Sequence, residues 1–594
     1  MDGRAEISRP AFWTPQLRWL LAASGAVLLS LLGTGLFRQA LFNPGGIPQL
    51  WSFLQASLQP DLSPEFLQLT GRATLTTLAY ACCGTLLSVL AGLVGGVLTA
   101  EVWWQSVWPR QQTKVHVLIN GTRALLVIPR AIHELIWGLF FVNIFGLDPL
   151  VAILGIAIPY GAIVAKVFAE ILDETPRQPL QALLNSGVLP LAAFCYTLLP
   201  QAFLDLLSYT FYRFECSIRS ATVLGIIGAG GLGYEILLSL QSLRYSQLWT
   251  LFYALFLLNG LVDAMSALLR HRLGSPTRLD LNLKRRSTQA PISSISPTST
   301  SVVPSVVQAT RESVSLWSWL QRWLWIHSLR LAQLGLLVLI PFSFWYVQAD
   351  FSKLVAPRTV RLLREVAQAA LPPRLNGSPD QLVTLSLQTL AMSILAIAIA
   401  GLGGMLLSFP AAHNFLLPGG ILSGPREPRM RRVVAWLGFG LTRSVLLICR
   451  AIPAPIWALV ALFVLFPGIL PGAIALGIHN LGILGRLMAE VTENLDRRPL
   501  LALKAQGSPG VLIWLYGVLP LTLTRFLAYS LYRWEVCMRE TVIVGLVGAG
   551  GLGRLLTEQL SGFDYAGVLV TLGCLMLLTL GVDGISRRAR QALR

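Results

Sequence analysis

Runs such as LLAASGAVLLSLLGTGLF (20–37), LGLLVLIPFSFWYV (334–347) and VLVTLGCLMLLTLGV (568–582) are, with their flanks, long enough to cross a hydrocarbon core. Such a core is about 30 Å thick and takes about 20 mostly apolar residues in a helix. The chain is thereby committed to an all-α polytopic membrane fold. Only 12% of its residues are charged and 54% are hydrophobic, about half the charged share of a soluble protein. A soluble chain of this length would lack the charged surface to stay dispersed. The net charge of +18 does not point to nucleic acid, because the basic residues gather in short loops and tails such as RHRLGSPTRLDLNLKRR (270–286) and SRRARQALR (586–594). There they orient the chain in the membrane. Seven cysteines, an odd number without zinc-like spacing, read as packing residues. No small-residue cleavage pattern follows the first apolar run, which is expected to remain as a helix.

The chain is a tandem duplication. YRFECSIRSATVLGIIGAGGLG (212–233) aligns without gaps to YRWEVCMRETVIVGLVGAGGLG (532–553), with 11 of 22 positions identical. The same offset of 320 pairs Arg123 with Arg443, RAIHELIW (130–137) with RAIPAPIW (450–457), Glu170 with Glu490, and Asp263 with Asp583. Upstream, TTLA (76–79) meets QTLA (388–391) at an offset of 312, so the second half has gained residues near 413–432. The expected division is a first unit at 1–272, a linker at 273–315 and a second unit at 316–594. STQAPISSISPTSTSVVPSVVQAT (287–310), rich in Ser, Thr and Pro, cannot bury a core and reads as a solvated tether.

Each half offers about six spans: near 17–37, 70–100, 118–145, 149–170, 201–227 and 248–269, then 322–346, 381–410, 433–466, 468–490, 521–547 and 566–585. An even number makes the two repeats parallel, related by a pseudo-two-fold axis along the membrane normal. With the linker and both termini cytoplasmic, the loops holding Arg110 and Lys114, Arg426 to Arg432, and Arg497 and Arg498 obey the basic-loop rule. The segment KLVAPRTVRLLREVAQAALPPR (353–374) runs against it, carrying five basic residues on the external side.

GIIGAGGLG (225–233) and GLVGAGGLG (545–553) contain G-x-G-x-x-G, a dinucleotide fingerprint. That motif needs a preceding strand and a soluble α/β unit, which a chain of membrane helices does not supply. Two copies at matched positions point instead to a paired structural element, a gate on the two-fold axis. Its residues are Gly228, Gly230, Gly231 and Gly233, with Gly548, Gly550, Gly551 and Gly553. None of the five lysines follows a glycine, so there is no phosphate-binding G-x-x-x-x-G-K loop. The chain is expected to bind no cofactor or metal itself. His133 and Glu134 open HELIW, but Trp137 stands where H-E-x-x-H needs its second histidine, which excludes a zinc protease. His479, in an apolar run, reads as packed.

LQALLNSGVLPLAAFCYTLLP (180–200) and LLALKAQGSPGVLIWLYGVLP (500–520) share a short helical pattern, a glycine, and a Leu-Pro ending thirteen residues later. This resembles the cytoplasmic loop of ABC importer permeases, E-A-A-x-x-x-G followed by I-x-L-P. The resemblance implies a coupling helix that docks into an ATPase subunit. It maps onto Ala182, Gly187 and Pro200, and onto Ala502, Gly507 and Pro520; Gln181 and Leu501 replace the usual glutamate. Glycine permits the turn after the knob, and proline is expected to start the next membrane helix. RAIHELIWGLFFVNIFGLDPL (130–150), LPQAFLDLLSYTFYRFECSIRSATVLGIIGAGGLG (199–233) and their partners look like the phosphonate ABC importer permease of the type I class, here as a fused pair. Over most of 70–270 and 380–585 the resemblance implies import of phosphonate, phosphite or phosphate. It also implies a periplasmic or lipid-anchored binding protein, two copies of an ATPase carrying ATP and Mg, and a prokaryotic plasma (inner) membrane.

Ionisable side chains within spans mark a pathway by default. Arg213 lies 13 residues beyond Pro200, roughly 20 Å along a helix. Arg219 is nearer the outer end and Arg130 lies inside another span; their mates are Arg533, Arg539 and Arg450. Arg130 and Glu134 fall four apart on one helical face, and Glu215 and Glu535 follow Arg213 and Arg533 by two. Two readings stand: ion pairs that fix helix packing, or arginines facing an anion in transit through bidentate hydrogen bonds. Glu134 has only Ala454 as its counterpart, so the pathway is expected to be asymmetric. Tyr212 and Tyr532 either donate to a passing oxyanion or pack. The expected function is the permease subunit, not an enzyme, of an ATP-driven importer of a phosphorus oxyanion. The alternatives are an importer of another small solute such as an amino acid, or a self-contained secondary transporter.

Overall fold

The computed structural model describes residues 15–34, 42–108, 112–273, 334–335, 337–374, 378–421, 428–496 and 498–592. Among them every regular element is helical, apart from one isolated bridge between Phe42 and Leu465. The first half comprises α1 (Pro15–Gly33), α2 (Ile47–Ala56), α3 (Pro64–Thr99), α4 (Glu101–Val107), α5 (Gln112–Ala131), α6 (Glu134–Phe145) and α7 (Pro149–Glu174). It continues with α8 (Gln178–Asn185), α9 (Pro190–Ala229), α10 (Leu232–Gln241) and α11 (Tyr245–Leu273). The second half comprises α12 (Leu337–Val347), α13 (Pro357–Ala370), α14 (Pro379–Ala411), α15 (Arg429–Ala451), α16 (Ala454–Val464) and α17 (Ile469–Glu493). It ends with α18 (Arg498–Ala505), α19 (Gly510–Leu546), α20 (Gly551–Ser561) and α21 (Tyr565–Ala592). Nine described helices are long and apolar enough to span a membrane. The Ser/Thr/Pro-rich linker and the first part of the 322–346 span lie outside the described residues.

The spans expected at 118–145 and 433–466 are each broken. α5 and α6 meet at 80°, because His133 leaves the helix and caps the next one: its Nδ1 accepts the Leu135 N–H at 3.3 Å. In the second half Pro453 breaks the helix, with Ile452 extended before it as a residue preceding proline prefers. Arg130 therefore ends one helix and Glu134 begins another, so the expected pair on a single helical face does not exist.

The prolines at 200 and 520 are also placed differently from expectation. The membrane helices start ten residues earlier, at Pro190 and Gly510. Pro200 and Pro520 sit inside them, each preceded by a π-helical turn, Phe194–Leu198 and Ile513–Val518. A proline in a helix removes one donor and crowds the preceding turn; widening that turn absorbs both.

Within each half the closest packing is α3 against α7 and α14 against α17. Arg123 caps the end of α3, donating to the Thr99 carbonyl at 3.2 Å, and Arg443 caps α14, donating to Ala411 at 3.0 Å. These caps are 24 and 32 residues from their carbonyls, which locates the inserted residues between Ala411 and Arg443. Between halves the first helices are exchanged. Val27 and Leu31 of α1 pack into the second half's core beside Met392 and Leu395. Val347 and Phe344 of α12 pack with Tyr80 and Cys83 of the first. α6 and α16 cross over in the same way: Ile136 packs with Leu556 and Leu560, and Ile456 with Trp249 and Phe252. The basic segment 353–374 forms α13, a helix with Arg358, Arg361 and Arg364 exposed and Leu362 packed beside Phe141. Lys353, just before it, pairs with Asp148 at 2.5 Å, and that carboxylate raises its pKa.

After α9 the chain doubles back so tightly that a Cβ on Gly233 would fall 1.8 Å from the Thr222 carbonyl oxygen. Gly187, by contrast, has φ +82° and open space around its Cα. Gly233→Ala is thus expected to abolish a cooperative melt of the detergent-solubilised protein. Gly187→Ala should cost about 1–2 kcal/mol, the left-handed penalty alone. Equal melting temperatures for the two variants would refute this account of the turn.

Candidate functional site

The two glycine segments shape the backbone behind an apolar seal. Gly228, Gly230 and Gly231 have φ of 99°, 90° and 74°, and Gly548, Gly550 and Gly551 follow with 93°, 79° and 71°. The first N–H groups of α10 and α20 are tied to the neighbouring span: Thr77 Oγ1 accepts from Leu232 at 2.8 Å and Thr389 Oγ1 from Leu552 at 2.9 Å. Gly553, like Gly233, packs on the preceding helix end, where Val542 O stands 2.7 Å from its Cβ position. Against this scaffold Val223 and its repeat mate Ile543 bury in one cluster with Leu135, flanked by Ile227 and Leu546. A cluster that contains both mates straddles the pseudo-two-fold axis. The side chains closing the axis are therefore these aliphatics, and the glycines stand behind them.

Helical spacing sets what lies beneath the seal. Arg219 is one turn before Val223 on the same face of α9, and Tyr212 is two turns further; Arg539, Ile543 and Tyr532 repeat this on α19. Arg219 donates to Cys216 Sγ at 3.4 Å. Arg539 donates to the Arg130 carbonyl at 3.3 Å, and its Nε is buried without a partner. Among the described residues neither guanidinium forms an ion pair. Tyr532, mid-helix, is 59% exposed, whereas the seal end of α19 is buried. Exposure therefore rises along α19 from the glycine end towards Tyr532.

Arg213 and Arg533 face back into their own halves. Arg213 is buried over the Tyr160 ring, 4.4 Å from its centroid, and its Nε donates to Tyr209 Oη at 3.2 Å. Arg533 pairs with Glu540 at 2.6 Å and donates to Asn480 Oδ1. The halves solve the site differently. In the first, Ser220 donates to Glu134 at 2.8 Å and Tyr160 Oη lies 2.6 Å from Ser220 Oγ. In the second, the mates of Glu134, Ser220 and Tyr160 are Ala454, Glu540 and Asn480, and Asn480 donates to Glu540 at 3.0 Å. The carboxylate has moved from one helix to its neighbour. Repeat alignment hides Glu540 behind Ser220, which is why the sequence did not single it out.

The other expected carboxylates serve elsewhere. Glu535 pairs with Arg590 of α21 at 2.6 Å, not with Arg533. Glu134 pairs with His133 at 3.2 Å, not with Arg130. Glu215 is buried in α9. Arg450 pairs with Asp263 across the halves, while Asp583, the repeat mate, pairs with Arg587 on its own helix at 2.6 Å. His479 is buried with Nδ1 3.0 Å from the Ile452 carbonyl.

At the opposite end, α8 and α18 form two matching knobs. Leu180 and Leu500 anchor them, buried to 2% and 3% exposure, while Ala182 and Ala502 are exposed. Gly187 (φ 82°) and Gly507 (φ 78°) end them, with Val188 N–H returning to Leu183 O at 3.1 Å and Ser508 N–H to Leu503 O at 3.2 Å. This is the closure that a glycine after a helix permits.

A family described as the binding-protein-dependent transport system inner membrane component matches twice, over residues 117–275 and 417–594. The chain is similar to the phosphate-import permease protein PhnE of Mycolicibacterium smegmatis, 26% identical over 528 residues, covering 88% of this chain and 86% of that one. It is similar to the phosphite transport system permease protein PtxC of Stutzerimonas stutzeri, 30% identical over 260 residues, 43% of this chain and 90% of that one. A cryptic phosphonate transport system permease protein of Escherichia coli, PhnE2, is 35% identical over 118 residues, 20% of this chain and 97% of its own. No solved structure matches.

The pairing of Arg533 has a direct check. In double-mutant cycles of thermal stability, Arg533→Gln is expected to couple with Glu540→Gln by about 1–3 kcal/mol, and with Glu535→Gln by less than about 0.5 kcal/mol. The reverse order would restore the pairing expected from the sequence.

Proposed function

The chain belongs to the binding-protein-dependent transport system inner membrane component family, and on that premise we propose that it imports a phosphorus oxyanion: phosphonate, phosphite or phosphate. It is a multi-pass permease, not an enzyme, and works with a separate ATPase and a substrate-binding protein. In the proposed arrangement each knob, α8 and α18, meets one of two ATPase copies, which carry ATP and Mg. Both termini and the linker lie on that cytoplasmic side, in a prokaryotic inner membrane. A periplasmic or lipid-anchored binding protein delivers cargo at the glycine end. The two units are taken as 1–272 and 316–594, joined by 273–315.

The observation that carries this reading is the pair Arg219 and Arg539, which form no ion pair among the described residues and lie one turn beneath the apolar seal. Arg533 is already matched by Glu540 and offers a passing anion little net attraction. An uncompensated cation, at an effective dielectric constant of about 20, attracts a unit anion 4 Å away by about 4 kcal/mol before desolvation is subtracted. That is enough to admit an oxyanion and too little to trap it. Arg130 and Arg450 flank this level, Arg450 tempered by Asp263. Arg213 and Arg533, with Glu215, Glu535 and Glu134, are assigned to helix packing. Leu135, Val223 and Ile543 would hold back ions by excluding water, and the glycine turns behind them would re-form as the gate alternates. The names of the phosphate, phosphite and phosphonate relatives support the cargo class.

Uptake of labelled phosphite, phosphonate and phosphate by the reconstituted complex tests the cargo. Arg219→Gln with Arg539→Gln is expected to lower uptake by about tenfold or more, the worth of one or two charge-assisted hydrogen bonds. ATPase assembly should be intact, and lysine at both positions should restore part of the rate. Uptake of an amino acid in preference to all three anions, or flux without ATP, would overturn the reading. Separately, Ala182→Trp with Ala502→Trp should leave membrane insertion unchanged and uncouple ATP hydrolysis from uptake; unaltered coupling would reject the knobs as the docking site.

A further inference from the structure

Between α5 of the first half and α19 and α21 of the second lies a cavity of about 260 Å³. Repetition would predict a second cavity on the other side of the axis. There, Phe252, Tyr253 and Phe256 occupy the positions that Leu572, Gly573 and Met576 hold beside the cavity. Phe252 is fully buried, and its ring stacks on Phe256 at 6.3 Å, with Tyr253 6.2 Å from Phe256. The first half thus carries bulky rings at the positions where the second half, beside the cavity, has Leu572, Gly573 and Met576.

Two features of the cavity point to an occupant. The first is Arg539, which lines the cavity with its Nε buried and unpartnered. A buried guanidinium N–H without an acceptor is costly, and an anionic oxygen is the acceptor it binds best. The second is the mouth. Ile128 and Leu569 line it, exposed to 54% and 38%, and Leu125 and Leu577 continue the exposed surface at 72% and 71%. Large exposed aliphatics on two membrane helices are covered by acyl chains, so the cavity opens onto the bilayer. A ligand entering there carries an anionic oxygen and an aliphatic body. The volume is below the ~300–1,000 Å³ of pockets that enclose a drug-sized ligand, so it takes one end of a lipid and leaves the chains outside.

We propose that this cavity is a site for one anionic phospholipid, its phosphate oxygen accepting from Arg539 and its first methylenes lying along Leu572 and Met576. The lipid bridges α5 of one half to α19 and α21 of the other. The site shares Arg539 with the proposed anion pathway, so a lipid phosphate and a passing oxyanion would compete for one guanidinium; lipid retention is read with no cargo present and is decided separately from uptake.

The test transplants the first half's aromatic residues into the cavity. Protein with Leu572→Phe and Gly573→Tyr, copying Phe252 and Tyr253, protein with Arg539→Gln, and wild-type protein are equilibrated with phosphatidylglycerol nanodiscs, extracted and weighed intact by native mass spectrometry. A Cβ on Gly573 meets open space, so the helix accommodates the change. Wild-type protein is expected to retain one phosphatidylglycerol more than this double variant, and Arg539→Gln should lose that molecule too. Ile128→Trp, which narrows the mouth from an exposed position, should lose the same molecule. Equal retention of phosphatidylglycerol by wild type, the double variant and Ile128→Trp would overturn the site. Equal retention of phosphatidylglycerol by wild type and Arg539→Gln would show a merely apolar filling and overturn the role of Arg539.

Discussion

A guanidinium inside a membrane protein must be matched, stacked or turned toward water, and the arrangement of this molecule follows from how its intramembrane arginines meet that demand. Arg533 is matched by Glu540 and Arg450 by Asp263. Arg213 is laid over tyrosine rings. Each solution pins one helix to another: α19 to α17 through Asn480, α15 to α11 across the halves, and α9 to α7 through Tyr160. Arg219 and Arg539 have no ion pair among the described residues and sit next to the buried Leu135, Val223 and Ile543 cluster. Hydrocarbon tolerates such groups poorly, at a cost of a few kcal/mol or more each, so their position beside that cluster supports the proposed anion pathway.

Duplication supplied two copies of most elements, and divergence then used them unequally. The carboxylate at Glu134 in the first half reappears at Glu540 in the second, on another helix. The aromatic cluster of Trp249, Phe252 and Phe256 gave way to Leu569, Leu572 and Met576. The neutral α2, which buries Phe53, corresponds to the basic α13, which keeps three arginines exposed. What both halves keep is backbone machinery: the Thr77 and Thr389 caps, the paired left-handed glycines, the Arg123 and Arg443 caps, and the leucine-anchored knobs. Those features hold the two-fold frame, and side chains within it were free to differ.

Much of the architecture was legible from residues alone. Apolar runs announced the helices, and the two offsets announced the repeats. The shift from 312 to 320 located the insertion, which the Arg443 to Ala411 contact then placed. The G-x-G-x-x-G segments were readable as structural because no strand could precede them. The break at His133 was less accessible, since histidine is not a strong helix breaker and only its ring accepting the Leu135 N–H reveals the cap. The π-turns ahead of Pro200 and Pro520 left no signal, because proline within a helix and proline at a helix start look alike in one dimension.

By itself the sequence determined a doubled, all-helical membrane chain with two knobs, two glycine turns and arginines placed within its spans, because hydropathy and repetition are properties of order along the chain. Only the tertiary structure decided which carboxylate meets which arginine, which aliphatics close the axis, and that the first helix of each half packs on the other. Those outcomes depend on the angle at which helices cross and on which residues face each other across a gap. A side chain reaches only a few ångströms, so partners 7, 55 or 187 residues apart, as in Arg533 with Glu540, Arg590 with Glu535 and Arg450 with Asp263, are chosen by packing and not by spacing.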